Sequence, residues 1–149
     1  MYSLVLVLHS WLRWIAIAAG VGATAAAALS PPGGSGSERS GLLFMISMDL
    51  QMLLGLILYL FLSPNTAAVF KDFGAAMKDP VARFWAVEHV TMMLAAVVLA
   101  HVGRVLGRKA STPGAKRTRL LISFGLSTLL MIAGTPWPGM RAGRPLFRV

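Results

Sequence analysis

The chain has 149 residues, of which 56% are hydrophobic and 13% are charged, whereas about a quarter of a soluble domain is charged. This composition indicates a membrane protein, and the absence of cysteine excludes disulfides, thiolate metal sites and iron–sulfur clusters. The net charge of +9 comes from basic residues at the ends of apolar spans, a topology signal of membrane proteins, so we expect no nucleic-acid partner.

The first apolar span covers residues 4–29, longer than the ~20 residues that a membrane helix needs. One face of the predicted helix carries polar and small residues, namely His9, Arg13, Gly20 and Thr24. A charge inside the membrane costs at least ~2.5 kcal/mol, so we expect Arg13 to face the protein interior and to be paired. The length of the span and the lack of a preceding basic residue argue against a signal peptide. A polar linker, 30–37, follows.

The second apolar span covers residues 42–62 and ends before Ser63-Pro64-Asn65, after which we predict a loop as far as residue 83. Helical spacing places a polar and sulfur-containing set on one side of this helix: Met48, Gln51, Met52, Gly55 and Tyr59. Asp49 points to a nearly opposite side, so we expect it to contact a neighbouring helix or another subunit.

The third span covers 84–102, and Trp85, His89, Met92, Met93 and Ala96 share one of its faces. His101 follows His89 by ~18 Å along the axis and about 120° around it, so the two cannot bind one ion. The stretch 104–119 is basic and is predicted to be a loop. The fourth span, 120–134, is short and ends before Pro136-Trp137-Pro138.

These spans predict an all-α fold, a single domain over residues 1–149 built as a four-transmembrane-helix bundle with up-down-up-down topology. Short basic loops stay cytoplasmic, so 104–119 lies inside and both termini lie on the same outer side. Basic residues that argue against this orientation also occur on the outer side, namely Lys71, Lys78, Arg83, Arg141, Arg144 and Arg148. Tryptophan prefers the membrane interface, and all four tryptophans fall near this face together with His9 and His89.

Two imidazoles at matched depth on different helices point to a shared ligand. The first interpretation is one haem b between His9 and His89, with Arg13 or Arg83 paired to its propionates. A copper site, the second, combines these histidines with Met92, Met93 and Met52, since imidazole and thioether suit Cu(I). The structural alternatives are histidines that only form hydrogen bonds near the interface and methionines that fill gaps in the core.

The ionisable residues within the spans allow a further pair of interpretations. Arg13, Asp49, Glu88 and His89 are candidates for a proton or substrate path. The structural alternative is one Arg13–Glu88 pair that fixes the first helix against the third. The basic stretch is in addition a candidate contact for anionic lipid.

The chain resembles a family of small four-helix bacterial membrane proteins that are often labelled cytochrome b or b561-like. The matching pieces are His9-Ser10, Arg13-Trp14, Gln51, Gly55-Leu56, Tyr59, Ser63-Pro64, Arg83-Phe84, Val87-Glu88-His89, Met93 and Pro136-Trp137-Pro138. Together they span nearly the whole chain.

The resemblance implies the bacterial inner membrane, with the outer side periplasmic, and electron transfer by haem. His9 and His89 would be the axial ligands, with Arg13 and Glu88 beside them. The larger b561 proteins carry enough histidines for two haems, whereas this chain has only three histidines, so one haem is its limit. A second class stays open, a cofactor-free accessory subunit of a respiratory or photosynthetic membrane complex that docks through its basic tail, 144–149. In neither class do we expect independent catalytic activity.

Overall fold

The computed structural model describes residues 1–31 and 36–147. Of the described residues, 83% are helical and none lies in a strand, so the predicted all-α class is confirmed. The centre of the predicted linker, 32–35, and the last residues of the basic tail, Arg148 and Val149, lie outside the described residues.

The first two long helices are α1, Tyr2–Leu29, and α2, Gly36–Ile57, which continues as a π-helical turn, Leu58–Leu62. Three short helices follow where a plain loop was predicted: α3, Pro64–Lys71, α4, Phe73–Lys78, and α5, Pro80–Arg83. Their starts are capped by Ser63, Asp72 and Asp79, whose side-chain oxygens accept backbone N–H groups.

A second π-helical turn, Phe84–Glu88, joins α5 to α6, His89–Arg108, and α7 covers Pro113–Ala133. The predicted basic loop 104–119 is therefore wrong, because most of it is helical and only residues 109–112 connect α6 to α7. The charged residues lie on the ends of two helices, where basic side chains extend into solvent without breaking the backbone hydrogen bonds.

In the described part of the chain, three helical stretches are long and apolar enough to cross a membrane: Tyr2–Leu29, Gly36–Leu62 and Pro80–Arg108. α7 is not among them, because its first two turns carry Lys116, Arg117 and Arg119. The outward surface of the long helices is apolar, with large exposed side chains such as Leu4, Val98 and Leu129. These features are consistent with a membrane protein.

The long helices pack in the order α1, α2, α6, α7, since α1 contacts α2 and α7 and α6 contacts α7 and α2. α1 and α6 thus face each other across the interior. The Phe44 and Phe124 rings meet there edge to face, with their centroids 5.7 Å apart. α6 and α7 approach closely at Gly103, where an added Cβ would lie 2.1 Å from the Ser123 Cβ. Small residues of this kind are typical of membrane helix contacts.

Candidate functional site

The His9 and His89 side chains meet between α1 and α6. Their ring centroids are 6.5 Å apart and their planes are inclined by 72°. His9 lies in the second turn of α1, and His89 is the first residue of α6, directly after the second π-helical turn. The pair that was predicted from matched depth on two helices is therefore brought together by the fold.

The His89 ring is fixed by the end of α7. Its Nδ1 donates to the carbonyl of Gly134, 2.7 Å away, and the Trp85 ring lies beside it with centroids 5.6 Å apart. A neutral imidazole with its proton on Nδ1 has its lone pair on Nε2. In the part of the chain that the structure describes, Nε2 of His89 has no hydrogen-bond partner.

The His9 ring is held by α2. The side-chain amide of Gln51 donates from Nε2 to Nε2 of His9 at 3.2 Å. Gly55 lies one turn further on, and an added Cβ there would be 3.1 Å from Cε1 of His9. Gln51 and Gly55 therefore set the position of this ring from one side, as their predicted shared helix face allows.

A cavity of about 120 Å³ adjoins both rings. Its polar lining includes Ser10, Arg13, Gln51, Tyr59, Trp85 and Arg144. A second cavity of about 40 Å³ also adjoins both rings and is otherwise lined mainly by apolar and methionine side chains. Both imidazoles thus line both cavities, and the polar side chains lie mainly around the larger one.

Three buried polar atoms at this site have no hydrogen-bond partner among the described residues: His9 Nδ1, Gln51 Oε1 and Trp85 Nε1. Buried polar groups are satisfied in the large majority of cases, and an unsatisfied one costs about 1–3 kcal/mol. Several such atoms around one cavity mark it as the candidate binding site among the described residues.

Both π-helical turns adjoin this cavity. Tyr59 lies in the first and Trp85 in the second, and the Tyr59 hydroxyl donates to the backbone carbonyl of Ala86 at 2.7 Å. π-helical turns are rare and frequently occur at functional sites, since they rotate side chains out of the regular helical register. Their presence was not predicted, because a hydrophobic pattern does not distinguish a π-helical turn from an α-helical one.

The C-terminal segment, 135–147, closes over the same end of the molecule. The carbonyl of Leu146 accepts hydrogen bonds from the Arg13 guanidinium at 2.7 Å and from Trp14 Nε1 at 3.1 Å. The Phe147 ring stacks on Trp14, with centroids 5.6 Å apart. Arg144 reaches the cavity, and its guanidinium lies 5.2 Å from the centre of the Trp85 ring.

The ion pairs of the charged residues differ from one alternative that the sequence left open. Glu88 pairs with Arg83, whose Nε lies 2.8 Å from Oε1, so among the described residues the expected Arg13–Glu88 pair is not formed. Both side chains of the observed pair are nearly half exposed. Arg83 does not line either cavity next to the histidines, and Arg144, which was not predicted, lies there instead.

The three methionines that were considered for a copper site do not all line the same cavity. Met93 lines both cavities and Met52 lines only the smaller one, while Met92 lines neither. Within residues 1–31 and 36–147, no three His, Cys, Asp or Glu side chains form a group that could hold a metal ion.

His101 has a different partner. Its Nε2 lies 3.4 Å from Oδ1 of Asp49, which confirms that Asp49 contacts a neighbouring helix. As predicted, His101 lies apart from the His9–His89 pair, since it lines neither of the two cavities next to that pair.

Comparison with known proteins found no matching family model, no matching curated protein and no matching solved structure.

Proposed function

We propose that the chain binds one haem b between His9 and His89 and serves as an electron carrier, or as the haem-containing subunit of a redox complex. The topology that we propose with it has four transmembrane helices running up, down, up and down. The cavity then lies at the periplasmic side of a bacterial inner membrane.

The observation that carries the proposal is the spacing of the two imidazoles. Metal–imidazole bonds are ~2.0–2.1 Å long, so two rings on opposite sides of one ion have their centroids about 6 Å apart. The observed separation is 6.5 Å. The rings come from helices that face each other across the interior, which is where helix bundles build cofactor sites.

The state of the His89 ring also suits an axial ligand. Ligating histidines almost always donate their second ring N–H to a carbonyl or carboxylate, which fixes the tautomer and the ring plane. The bond from His89 Nδ1 to the Gly134 carbonyl is of this kind. The residues thus fit the group by their donor chemistry, and the bound iron would supply one-electron transfer. Around it, Trp85 and Phe84 pack against His89 and keep its surroundings apolar.

A second candidate, the cofactor-free accessory subunit, is favoured by a different observation. Nε2 of His9 already accepts a hydrogen bond from Gln51, and the larger cavity has about 120 Å³, below the ~300–1,000 Å³ of typical ligand sites. Under the haem proposal, the Gln51 amide leaves Nε2 and the two cavities join. Under this second candidate, both histidines remain links between helices.

A visible spectrum of the purified chain, expressed with haem supplied, decides between the two. We expect a Soret band in the wild-type protein and its loss in both His9→Ala and His89→Ala. His101→Ala is the matched control, because it removes an imidazole from α6 outside the cavity and should leave the band unchanged. A wild-type protein without a Soret band would reject the haem carrier. A bis-histidine spectrum that survives His9→Ala would remove His9 from the ligand set.

A further inference from the structure

Arg144 lines the larger cavity, and the described residues of this lining include no acidic side chain. Elsewhere in the described chain, basic residues find carboxylates: Arg83 pairs with Glu88, and Lys116 pairs with Glu38. In membrane proteins a charge that faces the interior is usually paired. The absence of an ion pair at Arg144 among the described residues therefore indicates a ligand that brings its own negative charge.

Arg144 is the cation that is best placed to receive such a group. Its guanidinium makes no ion pair with a described residue and lies over the Trp85 ring at 5.2 Å. Trp85 Nε1, buried and without an acceptor, is a second donor in the same wall of the cavity. A planar guanidinium binds a carboxylate through two parallel hydrogen bonds, a geometry that lysine does not reproduce.

The path of the backbone holds Arg144 in this position. Gly139 has φ of +92°, which a side chain rarely tolerates, and it starts the turn after Pro138. An added Cβ at Gly143 would lie 2.5 Å from the Trp137 carbonyl oxygen, so the chain doubles back tightly. The Arg144 N–H then donates to the Pro136 carbonyl at 3.0 Å. The arginine is thereby presented from an ordered turn and does not lie on a free tail.

We propose that Arg144, with Trp85 Nε1 beside it, binds a carboxylate of an amphipathic ligand whose apolar body lies against His9 and His89. The assignment rests on the proposed function, in which the carboxylates are the haem propionates. Arg144 takes the place that the sequence had suggested for Arg83. It acts as a positioning residue that fixes the orientation of the ligand and the end of the cavity at which it enters.

The test compares haem b with its dimethyl ester, in which both propionates are esterified and uncharged. Each is titrated into the purified full chain in detergent, and the Soret change gives Kd. Hydrogen bonds to charged groups are worth enough to expect haem b to bind about 10- to 100-fold more tightly than the ester to wild type. Arg144→Gln should abolish this preference, and Arg144→Lys should restore only part of it. Arg141→Gln, an exposed arginine of the same segment outside the cavity, should keep it.

The outcomes separate the two proposals. Equal affinity of wild type for haem b and the ester would overturn the carboxylate site and leave the haem proposal standing, and this comparison needs no variant. A preference that persists in Arg144→Gln would assign the site to other residues and reject Arg144. If neither compound binds to wild type, the proposed function fails and this assignment fails with it.

Discussion

His89 and His101 lie on the same helix, but their surroundings differ. The His89 ring lies between helices beside a cavity whose described lining residues include no acidic side chain, and among the described residues only its Nδ1 is hydrogen-bonded, to a neutral carbonyl. The His101 ring lies at the outer surface between α2 and α6, where its Nδ1 donates to the Val97 carbonyl at 3.0 Å and its Nε2 faces Asp49. Both nitrogens of His101 are thus engaged, while His89 keeps one lone pair available.

The difference shows that an imidazole within an apolar segment is not by itself a ligand. What distinguishes a candidate ligand is an inward ring with one nitrogen fixed by a neutral acceptor and the other free. On this criterion His89 qualifies and His101 does not. His9 is intermediate, because Gln51 donates to its Nε2 while its Nδ1 lacks a partner among the described residues.

The largest loss of stability around the His9–His89 pair is expected for Gly134→Ala. The added Cβ would lie 2.6 Å from Cε of Met93 and 3.1 Å from Cβ of Met92. The Met93 methyl is the end of a flexible side chain and can move aside, but Cβ of Met92 is held by its backbone. α7 must therefore shift slightly away from α6 and take with it the carbonyl that fixes His89. We expect a loss of about 1–3 kcal/mol in the free energy of unfolding, the usual cost of overpacking, measured by thermal or denaturant unfolding in detergent.

Gly125→Ala on the same helix is the matched control for this substitution. There the nearest atom to an added Cβ is Cγ2 of Thr24 at 3.7 Å, an ordinary contact. Because alanine favours a helix interior over glycine, the control should be at least as stable as wild type, and the affinity for haem should fall only in the Gly134 variant. Equal stability of the two variants would show that the Gly134 carbonyl does not depend on close packing of α7 against α6.

A smaller effect is expected for Gln51→Leu, which should lower the stability of the haem-free protein without lowering its affinity for haem. In the absence of haem, the substitution removes the donor to His9 Nε2 and leaves a buried acceptor unpaired. It also removes Gln51 Oε1, a buried oxygen that has no partner among the described residues, and this offsets part of the cost. We therefore expect a loss of about 1 kcal/mol in the free energy of unfolding. With haem present, the same change frees Nε2, so haem affinity should be retained or raised.

Met52→Leu, a volume-conserving change on the same helix, controls for altered packing around the smaller cavity. Unfolding of both variants is followed with and without haem. A Gln51→Leu protein that loses haem affinity would mean that the amide supports the bound state, which contradicts its displacement by the iron.

Apolar length and helical periodicity were sufficient to predict the four long helices and the approach of His9 to His89, but not the short helices α3 to α5 or the helical structure within the basic stretch 104–119. The predicted Arg13–Glu88 pair failed because matched depth does not fix the rotation of two helices. Arg83 precedes Glu88 by five residues across a π-helical turn, which makes it the nearer partner. The role of Arg144 was not predictable, since it depends on the positive φ of Gly139 and on the close approach of backbone at Gly143.

The smallest effect is expected at Asp49 and His101, which we call the outer pair. It tests whether His101 differs from His89 as the comparison requires. A double-mutant cycle of Asp49→Asn and His101→Gln measures the coupling free energy between the two side chains. Their side chains are 53% and 39% exposed, and polar contacts between membrane helices average about 0.6 kcal/mol, so we expect a coupling near that value. None of the three variants should change haem affinity or the Soret band.

The stability of the double variant and the coupling free energy show whether the outer pair is exposed. If the outer pair only links α2 to α6, removing both partners leaves no unpaired charge, and its stability should lie within about 1 kcal/mol of wild type. A coupling above about 2 kcal/mol would mean that the pair is desolvated in the membrane by something that covers this surface. In that case exposure in the isolated chain would no longer distinguish His101 from His89, and only the acid-free surroundings and the free Nε2 of His89 would remain as the difference between them.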